Sequence, residues 1–205
     1  MNILKHCQIS VKRWGGQAED YIEIHRFIDQ TKALCPDMRH RIFHTHWAID
    51  NLVIPIFGES IKNSNGEEVC VRDMCERDHF LVDFHNKFIP TLNDFVSAID
   101  ESRIPDLRKR LDHFYSEYGT HNAIAKLMLS PLAHTGQVKS LLITHNSWFI
   151  NSIIPQILET KTTIKDFNIN PATLYEAMNL ELWMDNGLAF PQSAKQREKH
   201  LVRPI

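Results

Sequence analysis

Apolar positions recur at helical spacing over most of the chain. In residues 17–34, Tyr21, Ile24, Phe27 and Ile28 form a stripe near 3.6-residue spacing, with His25 and Asp29 four apart on its border. Residues 37–57 read as a second long helix: Asp37, after Cys35-Pro36, is the expected N-cap, and Ile42, Ile49, Val53 and Ile56 mark the apolar face. Pro55 falls in its last turn and should loosen or end it. On this helix His40 and His44 are one turn apart and leave the side opposite the stripe, so whatever covers that side decides what they do. Residues 72–86 return to helical spacing, with Met74, Leu81, Phe84 and Phe88 inward and Arg72, Glu76, His79 and Asp83 on what resembles a solvated face.

Three stretches break the helical rhythm. Residues 3–16 end on Gly15-Gly16 after a short helix or turn. Asn65-Gly66, between two short apolar-containing runs, signals a hairpin with positive φ at both turn positions, lying against the helices. Thr91 caps a short helix over 92–99, and charges with Pro105 interrupt the pattern at 100–106. Beyond, helices are predicted over 106–118, 121–129, 136–160 with a kink at Pro155, 171–186 and 192–201. Trp47…Pro55 and Trp148…Pro155 invite comparison as a repeat, but their registers differ by one residue and the pattern reads as coincidence. The expected fold is mainly α: a helical bundle with one small β-hairpin around residues 60–71. A module over 1–102 carries the hairpin and the His/Asp cluster, and a helical C-terminal half over 103–205 packs on it.

Composition changes this picture little. With 43% hydrophobic and 23% charged residues, the 205-residue chain is ordinary for a soluble globular protein. A formal charge of −2 argues against coating nucleic acid through bulk positive charge. The opening MNILKHCQIS has no sustained apolar core, and no apolar run is long enough to span a membrane. Cys7, Cys35, Cys70 and Cys75 lack CxxC spacing and read as reduced thiols of a cytoplasmic protein. An oligomer stays open.

Several stretches occur together in a familiar order: His6-Cys7-Gln8-Ile9-Ser10, Gly15-Gly16, Ile24-His25…Asp29, Asp37…Arg39-His40-Arg41…His44, Asn63-Ser64-Asn65-Gly66, His79…Asp83 and Ile89-Pro90-Thr91. Over about residues 6–100 this resembles an uncharacterised bacterial and phage family, a domain of unknown function. The resemblance implies a module boundary near residue 100 and supplies no activity. Members of that family carry a second histidine where Thr45 stands here; this chain has His46 instead.

The candidate chemistry lies in that first half. His25/Asp29, His40/His44 and His79/Asp83 are pairs at i,i+4. Imidazole and carboxylate suit Zn²⁺, Fe²⁺ or Mn²⁺, and one helix can offer two ligands at this spacing. The expected divalent-metal ligands are His6, His25, His40, His44, His79 and Asp83, joined by Asp29 with a catalytic role. Arg39 and Arg41 are the candidates for binding a substrate phosphate through the guanidinium fork. The function that follows is a metal-dependent hydrolase of a small phosphate-containing substrate. The rival is a non-enzymatic phage or bacterial binding or assembly protein with a protein partner and a structural His cluster. Surface pairs of this kind contribute only about 0.3 kcal/mol each and need no function. Elsewhere, Thr135–Ser140 lacks the glycines of a phosphate loop and reads as a helix start, while Ser10 and Ser147 have no base placed by spacing.

Overall fold

The computed structural model describes residues 2–34, 38–96, 99, 112, 115–116, 122–145 and 148–157. The Asp37 cap, the helices expected over 106–118, 171–186 and 192–201, and Ser147 lie outside these or largely so. The described residues divide into two compact units, one running to Asp94 and the other starting at Phe95.

In the first unit, α1 (Ile3–Trp14) begins where Asn2 Oδ1 accepts from the Leu4 amide at 3.0 Å and ends at Gly15. Its buried residues are His6, Cys7 and Ser10, so the face it turns inward is largely polar. A single turn of 3₁₀ helix, Ala18–Asp20, leads into α2 (Ile22–Asp29) and a further 3₁₀ turn, Gln30–Ala33. The expected helix over 37–57 is two separate pieces. Met38–Phe43 is 3₁₀, and a new helix, α3, starts at His46. The physical reason is Thr45, extended at φ −130°, whose Oγ1 accepts from the Ala48 amide as an N-cap. His44 lies in the break, so His40 and His44 are not one helical turn apart.

α3 runs through His46–Ala48, Ile49–Val53 and Ile54–Phe57, and its middle stretch is a widened π turn. There the Ile54 amide reaches the Ile49 carbonyl, five residues back, immediately before Pro55. Proline has no amide hydrogen and its ring crowds the carbonyl four residues earlier, so the turn ahead of it opens. Strands β1 (Ser60–Lys62) and β2 (Glu68–Cys70) pair antiparallel with Ser60 opposite Cys70. The turn differs from expectation: Gly66 has positive φ and Asn65 does not. Asn63 organises it instead, accepting from the Asn65 and Glu67 amides through Oδ1, both at 3.0 Å. Its Nδ2 donates to the Trp14 carbonyl at 2.9 Å and the Tyr21 hydroxyl at 3.3 Å, which fastens the hairpin to the α1–α2 corner. α4 follows as Val71–Met74, Cys75–Phe80 and Leu81–Asp83, again with a π turn in the middle. α1 packs on both α2 and α4, α2 packs on Met38–Phe43 and on α3, and Tyr21, Ile28, Phe43, Trp47, Leu52 and Phe80 are fully buried.

α5 (Leu92–Val96) spans the division between the units. In the second unit, α6 (Asn122–Thr135) ends at Gly136, where the sequence reading placed a helix start. The 3₁₀ stretch Val138–Ile143 follows, then α7, made of the π turn Phe149–Ile153 and Ile154–Ile157. These last three stretches repeat Met38–Phe43, Ile49–Val53 and Ile54–Phe57 one hundred residues on, with Pro155 at the place of Pro55. The order of these stretches thus recurs at an offset of one hundred residues around the two prolines. Among the described residues no helix is long and apolar enough to cross a membrane.

Candidate metal centre

Four elements of the first unit converge on one buried point. α1 supplies His6, α2 supplies His25 and Asp29, the break before α3 supplies His44, and α4 supplies His79 and Asp83. Each of these six is at most 6% exposed. Ligand atoms of Asp29, His44, His79 and Asp83 all lie within 4.8 Å of one another, a group that could hold a metal ion. His44 Nε2 is 3.2 Å from Asp83 Oδ2 and 3.6 Å from Asp29 Oδ1, and His79 Nε2 is 3.4 Å from Asp29 Oδ1. His6 Nε2 joins from the far side, 3.4 Å from Asp83 Oδ1, with its ring stacked on His79 at 3.9 Å between centres. The face of Arg72, Glu76, His79 and Asp83 is therefore not a solvated face throughout: its last two members are core.

A second layer fixes the rings. His6 Nδ1 sits 2.8 Å from the Asp78 carbonyl, which only accepts, so that nitrogen carries the hydrogen. In the neutral ring Nε2 is then a lone pair, and it faces a carboxylate oxygen. Asp78 is held in turn by Arg13 Nε and Trp14 Nε1, each donating at 2.6 Å. His79 Nδ1 meets His25 Nδ1 at 2.9 Å, and His25 Nε2 meets Ser10 Oγ at 3.0 Å, a chain from the cluster back to α1. His25 thus stands one layer out from the converging atoms. His6 Nε2, His79 Nε2 and Asp29 Oδ1 have no hydrogen-bond partner among the described residues.

Burial sets the charges. It pushes the His44 imidazole down to about 4 against the pull of Asp83, pushes His25 down to about 3 with help from His6, and drives His79 well below the usual range. Burial would raise both carboxyls. Contacts with His79, Lys32 and His44 outweigh it at Asp29, and contacts with His44 and His6 do so at Asp83, so both stay ionised. Near neutral pH Asp29 and Asp83 are thus carboxylate anions and His44 and His79 neutral imidazoles, the ionisation state in which these groups bind metal.

The remaining sequence candidates stand elsewhere. His40 is outside the converging group, its ring centre 6.5 Å from that of His44, and the Thr31 hydroxyl donates to its carbonyl. Arg41 serves Asp83: Nη1 donates to its carbonyl at 2.9 Å, Nε lies 3.6 Å from Oδ2, and the guanidinium sits over the Phe84 ring. Arg39 is buried, and His46 is exposed beside Glu76. Sequence reasoning left Ser10 without a base, where the structure sets His25 Nε2 at 3.0 Å, and it missed Asp78 and Lys32, whose Nζ donates to Asp29 Oδ2 at 2.5 Å. Lys32 had a signal, an i,i+3 pairing with Asp29; the Asp78 carbonyl had none, because backbone atoms leave no mark in composition.

Fold and site together define a mainly α-helical protein with a buried His/carboxylate centre able to hold a metal ion. The chain belongs to the family described as a domain of unknown function, DUF6915, whose model matches residues 1–104. No curated protein and no solved structure matches it.

Proposed function

We propose that the first unit is a divalent-metal centre and that the protein is a metal-dependent hydrolase of a phosphate-containing substrate. One observation carries the metal. His6 Nε2 and Asp83 Oδ1 face each other at 3.4 Å in a fully buried place, while the other nitrogen of His6 is committed to a carbonyl. His6 Nε2 has no hydrogen-bond partner among the described residues, and a cation between it and the carboxylate would be bound by both. His6, Asp29, His44, His79 and Asp83 form the proposed ligand set, a mixture of nitrogen and oxygen donors that suits Zn²⁺, Fe²⁺ or Mn²⁺. The chemistry such an ion supplies is a bound water of lowered pKa, a hydroxide at neutral pH. Asp78 and His25 hold the rings of His6 and His79 in place, as outer partners of ligating imidazoles generally do.

Metal analysis of untagged protein, on wild type and a His44→Ala/Asp83→Asn variant checked for helical content, tests this. About one ion per wild-type chain, lost from the variant, is the expected outcome; wild type without metal overturns the centre. Phosphomonoesters, phosphodiesters and nucleotides then test turnover. Full burial of His6, His44 and His79 favours a second reading, an ion that only stabilises the fold. Stoichiometric metal without hydrolysis of any of these esters selects it.

A further inference from the structure

His79 is held at both ends of its ring, and the connection continues to α1. Its Nε2 faces Asp29 Oδ1 at 3.4 Å, and its Nδ1 meets His25 Nδ1 at 2.9 Å. The far nitrogen of His25, Nε2, meets Ser10 Oγ at 3.0 Å. All three side chains are fully buried, so water completes none of these contacts from outside. Burial keeps both rings neutral near pH 7, and each carries one hydrogen. The contact between the two Nδ1 atoms holds a single hydrogen, which one ring donates and the other accepts. The place of one hydrogen therefore fixes the others. With hydrogen on His79 Nε2, His25 Nδ1 donates to His79 and the Ser10 hydroxyl donates to His25 Nε2. With hydrogen on His79 Nδ1, His79 donates to His25, and His25 Nε2 donates to Ser10 Oγ.

We propose that Ser10, His25 and His79 form a reversible hydrogen-bond chain whose direction is set by ion occupancy, with His25 as the positioning residue that follows the tautomer of His79. The inference rests on the metal-centre reading above. Without an ion, the hydrogen of His79 belongs on Nε2, where the Asp29 carboxylate attracts it. A ligating imidazole offers a lone pair, so with Nε2 given to an ion the hydrogen stands on Nδ1. His25 and Ser10 then reverse their bonds. Each ring holds one hydrogen in both states and Ser10 keeps its own, so the chain gains and loses no proton. Serine suits the end of such a chain because a hydroxyl both donates and accepts. When it accepts from His25, its own hydrogen can turn to the His6 carbonyl four residues back in α1, a bond that helical serines make. His6 shows the contrast: its Nδ1 meets the Asp78 carbonyl, which only accepts, so its tautomer is fixed. The centre thus joins one imidazole of fixed polarity to one that can switch without leaving a buried ring nitrogen unpaired.

The test uses the full chain labelled with ¹⁵N-histidine, first treated with chelator and then loaded with Zn²⁺, with metal content measured on each sample. Long-range proton–nitrogen correlation spectra show which nitrogen of a ring carries its hydrogen, and His25→Gln and His79→Gln variants assign the signals by their loss. The expected result is hydrogen on His79 Nε2 and His25 Nδ1 in metal-free protein, moving to His79 Nδ1 and His25 Nε2 once zinc is bound. Zinc-loaded protein in which His25 keeps its hydrogen on the same nitrogen as in the metal-free form overturns the switch and leaves the metal centre standing. Protein that retains no zinc overturns the centre itself, and the switch with it.

Discussion

His6 commits its two ring nitrogens in different directions: one gives its hydrogen to the Asp78 carbonyl, and the other is delivered to Asp83. The same logic extends through His25, which links His79 to Ser10. Outer partners of ligating histidines typically tune metal affinity by about 10–100-fold. His25→Ala should therefore weaken zinc affinity by that order while leaving the ligands in place, read by competition with a chromophoric chelator; unchanged affinity would sink the relay. Asn63 is the corresponding structural residue, 4% exposed and bonded to four groups on three segments. Asn63→Ala strips the hairpin of its anchor, and denaturant titration should show a loss of about 2–3 kcal/mol. Both residues were visible in the sequence as members of motifs, but their partners were not.

Among the elements, the pairs that sequence spacing joined correctly are those inside continuous helix. His25 and Asp29 share α2, and His79 and Asp83 share α4, so the i,i+4 rule placed each pair on one face. His40 and His44 failed because the 3₁₀ stretch ends at Phe43 and Thr45 caps α3 as a new helix, which leaves His44 in the break. A threonine three residues before an alanine at a helix start is a readable signal; the unbroken apolar spacing of Ile42, Ile49 and Val53 masked it. The widened turns before Pro55 and Pro155 show the same proline chemistry twice, and the succession of stretches around them is common to both units. At the same offset of one hundred residues the place of His44 is taken by Thr144. Among the described residues the second unit gathers no comparable ligand group. It has instead a satisfied histidine, His145, which meets the Tyr115 hydroxyl at 2.8 Å and the Leu141 carbonyl at 2.9 Å.

Across the whole molecule, buried imidazoles make stability fall in acid. Burial holds His44 and His145 near 4 and His25 near 3, while an unfolded histidine takes up its proton around 6.5. Between those values the unfolded chain binds more protons than the folded one, so each group removes stability as pH drops from 6.5 towards its folded value, at about 1.4 kcal/mol per unit of difference. Asp29 and Asp83, depressed in the fold, extend the loss below the ordinary carboxylate range. Thermal melts of chelator-treated protein should be level above about pH 7 and decline steadily from pH 6.5 to 4. A melting temperature independent of pH over that window contradicts neutral buried histidines. With zinc bound the decline should be steeper, because protons displace the ion as well.

What the sequence determined by itself is whatever depends on neighbours along the chain: helical spacing, the existence of the hairpin, the i,i+4 pairs and the composition of the first half. The face opposite the apolar stripe was left open between solvent and a site, and only packing closed it. His44, His79 and Asp83 are buried because α1, α2 and α4 come together with a polar inward face on α1, a contact between residues more than seventy positions apart. Local spacing can put two ligands on one helix. Bringing ligands from four segments within a few ångströms, with a backbone carbonyl fixing the tautomer of one, is a property of tertiary structure, because nothing in the order of residues encodes distance across the fold.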